Sequence, residues 1–217
     1  MAQPSGDRKK LRGPAGELEA RIDLPAGGAG AGRAALVCHP HPLYGGTMDN
    51  KVVYTLARAF NDLGMPALRF NFRGVGESDG AFAGGDGEAA DALAAWDWID
   101  AEWGPRELCL AGFSFGAMVA LRVAEERRPA CLVTVAPPVR DLPAEYAGPG
   151  CPWVLVQGEA DDVVEAPAVL EWAGRLAAPP RVETFAGVGH FFHGHLPQLR
   201  ERVVAAVTEI MEKDEHG

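Results

Sequence analysis

Residues 108–116 read Leu-Cys-Leu-Ala-Gly-Phe-Ser-Phe-Gly, an apolar run that leads directly into a Gly-x-Ser-x-Gly motif. The run is typical of a buried strand, and the pattern from Phe115 to Arg128 predicts a helix. A sharp turn from a strand into a helix holds its central residue in a strained conformation, with the side chain exposed. The motif therefore predicts an exposed, reactive hydroxyl at Ser114. A serine satisfied in a tight turn is the alternative, because Gly-x-Ser-x-Gly also occurs by chance in Gly-rich chains.

Short apolar runs alternate with helical patterns on both sides of this motif. The predicted strands are Ala34–Cys38, Ala67–Phe72, Leu108–Phe113, Cys131–Ala136, Trp153–Gln157 and a weaker one at Val182–Phe185. The predicted helices cover 53–63, 88–103, 115–128, 165–176 and 196–213. This alternation indicates right-handed βαβ units and hence an α/β fold, a doubly wound, mostly parallel sheet flanked by helices. We expect one domain over residues 1–217, with 1–16 as a flexible leader and Glu17–Leu24 as an edge strand or hairpin arm.

Composition narrows the class of protein. Of 217 residues, 47% are hydrophobic and 23% are charged, which is typical of a soluble globular domain and excludes a disordered chain. The formal net charge of -10 disfavours nucleic acid as a partner. The four cysteines lie far apart, and no apolar run approaches the length of about 18 residues that spans a bilayer. We therefore expect a cytoplasmic protein with free thiols and no membrane partner.

A serine hydroxyl becomes a nucleophile only when a base removes its proton and a third group orients that base. Asp161 follows the predicted strand 153–157, and His190 follows the strand 182–185, so both lie where open α/β sheets build their sites. The chain order Ser, Asp, His is that of α/β-hydrolase triads. Asp162 is an alternative acid, and His193 and His195 are alternative bases that lie closer to the final helix.

Three further segments carry a resemblance to the α/β-hydrolase family over nearly the whole chain. They are His39-Pro-His-Pro-Leu-Tyr-Gly-Gly46, Asn71-Phe-Arg-Gly-Val-Gly-Glu-Ser78 and Gly158-x-x-Asp161-x-x-Val164. The first segment resembles a compact, lidless subgroup of bacterial serine hydrolases of the carboxylesterase and dienelactone-hydrolase kind. The interval 137–152, where many relatives insert a cap, is too short for one, so we expect no cap domain.

The resemblance also implies an oxyanion hole made of backbone N–H groups. Phe115 would supply the first N–H, because it follows the nucleophile. Pro40 and Pro42 have no N–H, so the second donor must come from another residue of the loop after the first parallel strand. We favour His41, with Leu43 as the alternative.

An open site without a lid would suit a small ester, and Tyr44, Phe113 and Phe191 are the candidate substrate-binding residues. We predict a serine hydrolase acting on small carboxylic esters without a cofactor. A thioesterase, a short-peptide hydrolase and a catalytically silent binding protein of the same fold are the alternatives. The sequence leaves the oligomeric state open between a monomer and a homodimer.

Two conspicuous features favour structural interpretations. Arg73, in a Gly-rich loop, is more typical of an ion pair that anchors the loop than of a phosphate site. His190, His193 and His195 lie in a loop rather than on one helical face, and the chain has no His-Glu-x-x-His motif, so no metal site is predicted.

Overall fold

The computed structural model describes residues 7–28, 32–142 and 146–214. Its strands are β1 (Asp7–Gly13), β2 (Gly16–Asp23), β3 (Arg33–Cys38), β4 (Ala67–Phe70), β5 (Glu107–Phe113), β6 (Cys131–Val135), β7 (Trp153–Gly158) and β8 (Arg181–Phe185). Its helices are α1 (Lys51–Asp62), α2 (Asp86–Trp103), α3 (Phe115–Arg127), α4 (Ala166–Arg175) and α5 (Leu196–Asp214). Each predicted strand and helix is present, within a few residues of its expected bounds.

The eight strands form one sheet in the order β1-β2-β4-β3-β5-β6-β7-β8. The six strands β3 to β8 run parallel to one another, whereas β2 is antiparallel to both of its neighbours. The chain leaves β3 for β4 on one side and then crosses back to β5 on the other. Strand order therefore reverses at β3, and ligands of open α/β sheets bind outside the carboxyl ends of the strands at such a reversal.

Both faces of the sheet are covered, because consecutive residues of a strand point to opposite faces. On one face Leu36, Leu68 and Leu110 pack against α2 and α3. On the other face Val37 and Ala111 pack against α1 and α5. The double covering explains why the parallel strands are continuous apolar runs rather than alternating ones.

The amino-terminal hairpin corrects the prediction of a flexible leader over residues 1–16. Asp7–Gly13 is a strand paired in register with β2, and Leu11 lies opposite Leu18, both of them buried. A single apolar residue among charged neighbours left no periodic signal, and the partner strand supplies the order. The hairpin-arm interpretation of Glu17–Leu24 is correct, but β2 lies inside the sheet rather than at its edge. Residues 1–6 lie outside the described residues.

The interval between β6 and β7 contains a single turn of 3₁₀ helix, Val139–Asp141, among its described residues, and the fold has no cap domain. Among the described residues of this interval, no cap lies over the carboxyl ends of the central strands. Within residues 7–28, 32–142 and 146–214, none of the helices is both long enough and apolar enough to cross a membrane.

Candidate active site

Ser114 occupies the sharp turn between β5 and α3. Its backbone adopts φ 54° and ψ -121°, a conformation that residues with a Cβ rarely adopt. The turn is possible because glycines flank it at both ends. A Cβ on Gly112 would lie 2.1 Å from the carbonyl oxygen of Gly116, and one on Gly116 would lie 2.4 Å from that of His39. The motif thus lets the first turn of α3 pack against the end of β3, with the Ser114 side chain partly exposed.

His190 lies between Ser114 and Asp161 in space. It is 76 residues from Ser114 and 29 residues from Asp161 in the sequence. Nε2 of His190 lies 3.1 Å from Oγ of Ser114. Nδ1 of His190 lies 2.8 Å from Oδ2 of Asp161, and both of these side chains are buried. In this arrangement the imidazole can accept the serine proton, while the carboxylate holds the ring in the tautomer with its proton on Nδ1.

The loop after β7 keeps the Asp161 carboxylate ionised. Burial alone would raise the pKa of Asp161, but hydrogen bonds from His190 and from the N–H groups of Val164 and Val163 outweigh burial and lower it. Oδ1 accepts both backbone bonds, at 2.8 and 2.9 Å, so Oδ2 is the oxygen turned to the imidazole. Gln157 also donates to Oδ2, at 3.2 Å. Gln157 was not among the predicted site residues, because its only signal in the sequence is its position at the end of a strand.

The alternative acid and bases lie elsewhere. Asp162 and His193 are exposed to solvent. His195 forms its hydrogen bond with Gln198 in the first turn of α5, with 2.7 Å between Nδ1 and Oε1. The structure therefore brings Asp161 and His190 to Ser114, and not their neighbours in sequence.

The loop after β3 passes beside the start of α3. The His41 ring packs against the rings of Phe115, Tyr44 and Phe82, at centroid distances of 4.8, 4.7 and 4.9 Å. The N–H of Leu43 donates to Nδ1 of His41 at 3.2 Å, so this alternative oxyanion donor already has a partner. His41 and Phe115, the two favoured donors, are thus neighbours in space.

The three predicted substrate-binding residues differ in exposure. Tyr44 is 85% exposed and Phe191 is 44% exposed, so both can contact a molecule that arrives from solvent. Phe113 is fully buried, and its prediction as a residue in contact with substrate is wrong. It is the last residue of β5 and belongs to the core on the α1 and α5 face, where its ring packs 4.8 Å from that of His190 and supports the base.

The structural interpretation of Arg73 is confirmed. The guanidinium of Arg73 donates two hydrogen bonds to the buried carboxylate of Asp91, at 2.9 and 2.7 Å. The backbone N–H of Arg73 donates to the same carboxylate, at 3.0 Å. The Gly-rich loop is therefore anchored to α2. Among the described residues, no group of three His, Cys, Asp or Glu side chains is arranged to hold a metal ion.

Two of the cavities in the described part of the fold bear on where a substrate could bind. One of about 410 Å³ lies between α1 and α5, where Arg58, Leu196 and Arg200 line it, and none of its lining residues is Ser114, Asp161 or His190. The other, of about 270 Å³, lies between the loops that follow β6 and β7, and Val139 and Val163 are among its walls. The smaller cavity adjoins the loop that carries Asp161, but Ser114, Asp161 and His190 are not among its lining residues either.

Known proteins that are similar to this chain include serine hydrolases of the same fold. The model of the X-Pro dipeptidyl-peptidase (S15) family matches residues 16–154, which include Ser114 and stop before Asp161. An uncharacterized protein of Rickettsia prowazekii is 36% identical, with 84% of this chain and 80% of that protein covered. An alpha-beta serine hydrolase homologue from Coxiella burnetii is 42% identical with a TM-score of 0.88, over 92% of this chain and 96% of that one. A serine hydrolase without lid from Xanthomonas campestris is 39% identical with a TM-score of 0.89, over 94% of each chain.

Proposed function

This chain belongs to the X-Pro dipeptidyl-peptidase (S15) family, which has the α/β-hydrolase fold, and we propose that it cleaves small carboxylic esters with Ser114, His190 and Asp161. It is a serine hydrolase by fold and relationship. The observation that carries the proposal is the continuous line of hydrogen bonds from Ser114 Oγ through His190 to Asp161, at 3.1 and 2.8 Å. We further propose a cytoplasmic location, because all four cysteines are free thiols.

The reaction proceeds through an acyl-enzyme in two matching halves. Oγ of Ser114 attacks the ester carbonyl carbon while Nε2 of His190 takes the hydroxyl proton. The tetrahedral intermediate carries its negative charge on the former carbonyl oxygen, which accepts hydrogen bonds from the N–H groups of Phe115 and His41. The C–O bond then breaks and His190 returns the proton to the leaving alcohol. Water repeats the sequence on the acyl group, releasing the acid and restoring the serine.

The size and openness of the site support a small ester. The strand ends have no lid, so substrate arrives directly from solvent. The exposed ring of Phe191 lies 5.0 Å from that of His190, and the exposed ring of Tyr44 lies 4.7 Å from that of His41, so both offer apolar surface beside the proposed catalytic groups. The cavity of about 270 Å³ adjoins the Asp161 loop and is large enough for a short chain only. In such a shallow apolar site one methylene changes binding by only about 1–3 kcal/mol, so we expect esters of several chain lengths to react.

Cleavage of X-Pro dipeptides from peptide amino termini is the second candidate, and the S15 family match favours it. The same three residues would attack an amide, with His190 protonating the amine that leaves. The two functions differ in leaving group and are distinguished by comparing nitrophenyl butyrate with alanyl-prolyl-nitroanilide. A higher kcat/KM for the anilide would replace the ester proposal with the peptidase.

Active-site labelling tests the proposal directly. Wild type and Ser114→Ala are treated with a fluorophosphonate and examined by intact mass, and both are assayed with nitrophenyl esters of increasing chain length. We expect one adduct on wild type, none on Ser114→Ala, and turnover only with the former.

His190→Gln and His193→Gln form a matched pair for the base. We expect the first to abolish turnover and the second, at an exposed neighbouring histidine, to leave it unchanged. Folded wild type with neither adduct nor turnover would refute the proposal and favour a silent binding protein of the same fold.

A further inference from the structure

His39, at the end of β3, is a fully buried side chain for which the reaction above has no role. Its ring lies between two backbone groups. Nε2 is 3.0 Å from the nitrogen of Phe72, and Nδ1 is 2.6 Å from the carbonyl oxygen of Pro40. The ring also packs against that of Phe72, at 4.5 Å between centroids. Both imidazole nitrogens are therefore used, and both partners are main chain.

These partners determine where the ring carries its proton. A backbone N–H can only donate, so Nε2 accepts from Phe72 and has no proton of its own. A neutral imidazole then carries its proton on Nδ1, which donates to the Pro40 carbonyl. Burial lowers the pKa of His39 to about 4, so the neutral form is present at neutral pH.

The Pro40 carbonyl belongs to the same peptide group as the N–H of His41. A peptide group is planar, and no bond of the described chain is cis, so this carbonyl and this N–H point in opposite directions. Holding the Pro40 oxygen thus fixes the direction of the His41 N–H. A hydrogen bond accepted at the carbonyl also polarises the amide and strengthens its N–H as a donor.

We propose that His39 is a positioning residue of the oxyanion hole, which aims the His41 N–H at the substrate oxygen by holding the Pro40 carbonyl. This role rests on the proposed function, in which His41 supplies the second donor. His39 touches neither substrate nor the reacting atoms.

His39 also lies against the start of α3, where Phe115, the other proposed donor, is found. Gly116 allows the first turn of α3, which begins at Phe115, to approach the His39 carbonyl so closely that a Cβ would lie 2.4 Å from it. The residues after β4 hold the two ends of the loop, since Phe72 binds His39 and Asn71 accepts from the N–H of Met48 at 2.8 Å. His39 thereby fixes one donor peptide against the helix that begins with the other.

Two substitutions separate this role from general stabilisation. In His39→Asn the side-chain amide lies near the former Nδ1 and can still donate to Pro40, but the Phe72 N–H loses its acceptor. In His39→Gln the amide lies near the former Nε2 and can accept from Phe72, but the Pro40 carbonyl loses its donor. Each variant removes one of the two hydrogen bonds, so we expect similar losses of stability in urea titrations.

Activity is the readout that distinguishes them. With nitrophenyl butyrate we expect kcat/KM of His39→Gln to fall about tenfold to a hundredfold, approaching the loss of an oxyanion donor. We expect His39→Asn to stay close to wild type. Affinity for butylboronic acid, whose adduct with Ser114 places an oxygen in the hole, should follow the same order.

Equal losses in the two variants, or an unchanged His39→Gln, would overturn the positioning role while leaving the ester hydrolase intact. Wild type without turnover or serine labelling would refute the proposed function itself, and the role of His39 would fall with it. The two failures are therefore distinguishable by the wild-type assay alone.

Discussion

Replacing Asp161 by Asn reverses one hydrogen bond of the site with almost no change in shape. Oδ1 accepts N–H groups from Val163 and Val164, so this atom must remain an oxygen in the variant. The new amide nitrogen then takes the place of Oδ2 and donates to Nδ1 of His190. His190 consequently carries its proton on Nε2, the nitrogen that lies 3.1 Å from Oγ of Ser114. In this tautomer Nε2 can no longer accept the serine proton.

The size of the effect follows from this tautomer. In other triad enzymes the equivalent change lowers the rate about 10⁴-fold, or about 5 kcal/mol of transition-state stabilisation, and we expect a similar loss here. Stability should change by only about 1 kcal/mol, because the two bonds to Oδ1 persist. Gln157 can also adapt, since its Oε1 has no partner among the described residues and can turn to accept from the new amide.

The assay combines kcat/KM for nitrophenyl butyrate with ¹⁵N spectra of labelled histidine, which report whether Nδ1 or Nε2 of His190 carries the proton. Asp162→Asn is the matched control, because it makes the same chemical change at the exposed neighbour. We expect activity to be lost only in Asp161→Asn, together with a proton on Nε2. An Asp161→Asn variant that keeps most of its activity, a proton that remains on Nδ1, or a greater loss in Asp162→Asn would refute this role of Asp161.

Three further outcomes are expected. Burial lowers the pKa of His39 from 6.5 to about 4, so between these pH values the unfolded chain binds a proton that the folded chain does not. Through this residue, the unfolding free energy should drop by about 3 kcal/mol from pH 7 to pH 4. Urea titrations at several pH values should show a smaller drop of the unfolding free energy in His39→Asn. Gly116→Ala should lose about 1–3 kcal/mol of stability, as the added Cβ meets the His39 carbonyl, whereas Gly174→Ala in α4, with open space around it, should gain about 0.5–1 kcal/mol in thermal unfolding. Arg73→Gln should cost about 3 kcal/mol, since it leaves the Asp91 carboxylate buried without its cation, and should leave KM unchanged; a raised KM would contradict the structural role.

Local patterns predicted most of the fold because parallel strands and amphipathic helices have characteristic spacings of apolar residues. The first strand escaped, since Leu11 is its one buried residue and its partner Leu18 is contributed by the next strand. Pairing between strands, rather than propensity, orders such a segment. The helix α2 begins at Asp86, two residues before its predicted start, because Glu88 accepts the N–H of Gly85 ahead of the helix.

The candidate site was predictable to the level of the loop, and less so to the level of the residue. Asp161 and His190 were chosen because each follows a strand, and burial in the structure separates them from Asp162 and His193. Exposure could not be predicted for Phe113, which the sequence analysis assigned to the substrate surface. Phe113 ends a strand whose two faces are both covered by helices, so its side chain is buried although the next residue, Ser114, lies in the exposed turn.

The role of His39 depends on a contact that no local pattern contains, yet the topology accounts for it. Val37 on β3 pairs in register with Arg69 on β4, so the residues that follow these two parallel strands emerge side by side at the carboxyl edge. His39 and Phe72 therefore meet although 33 residues separate them. Pro40 and Pro42 remove two N–H groups from the loop, and a loop with so few donors can form an oxyanion hole only if a remaining donor is held in one direction. A buried, neutral imidazole bound to the carbonyl of that same peptide meets this requirement without entering the site.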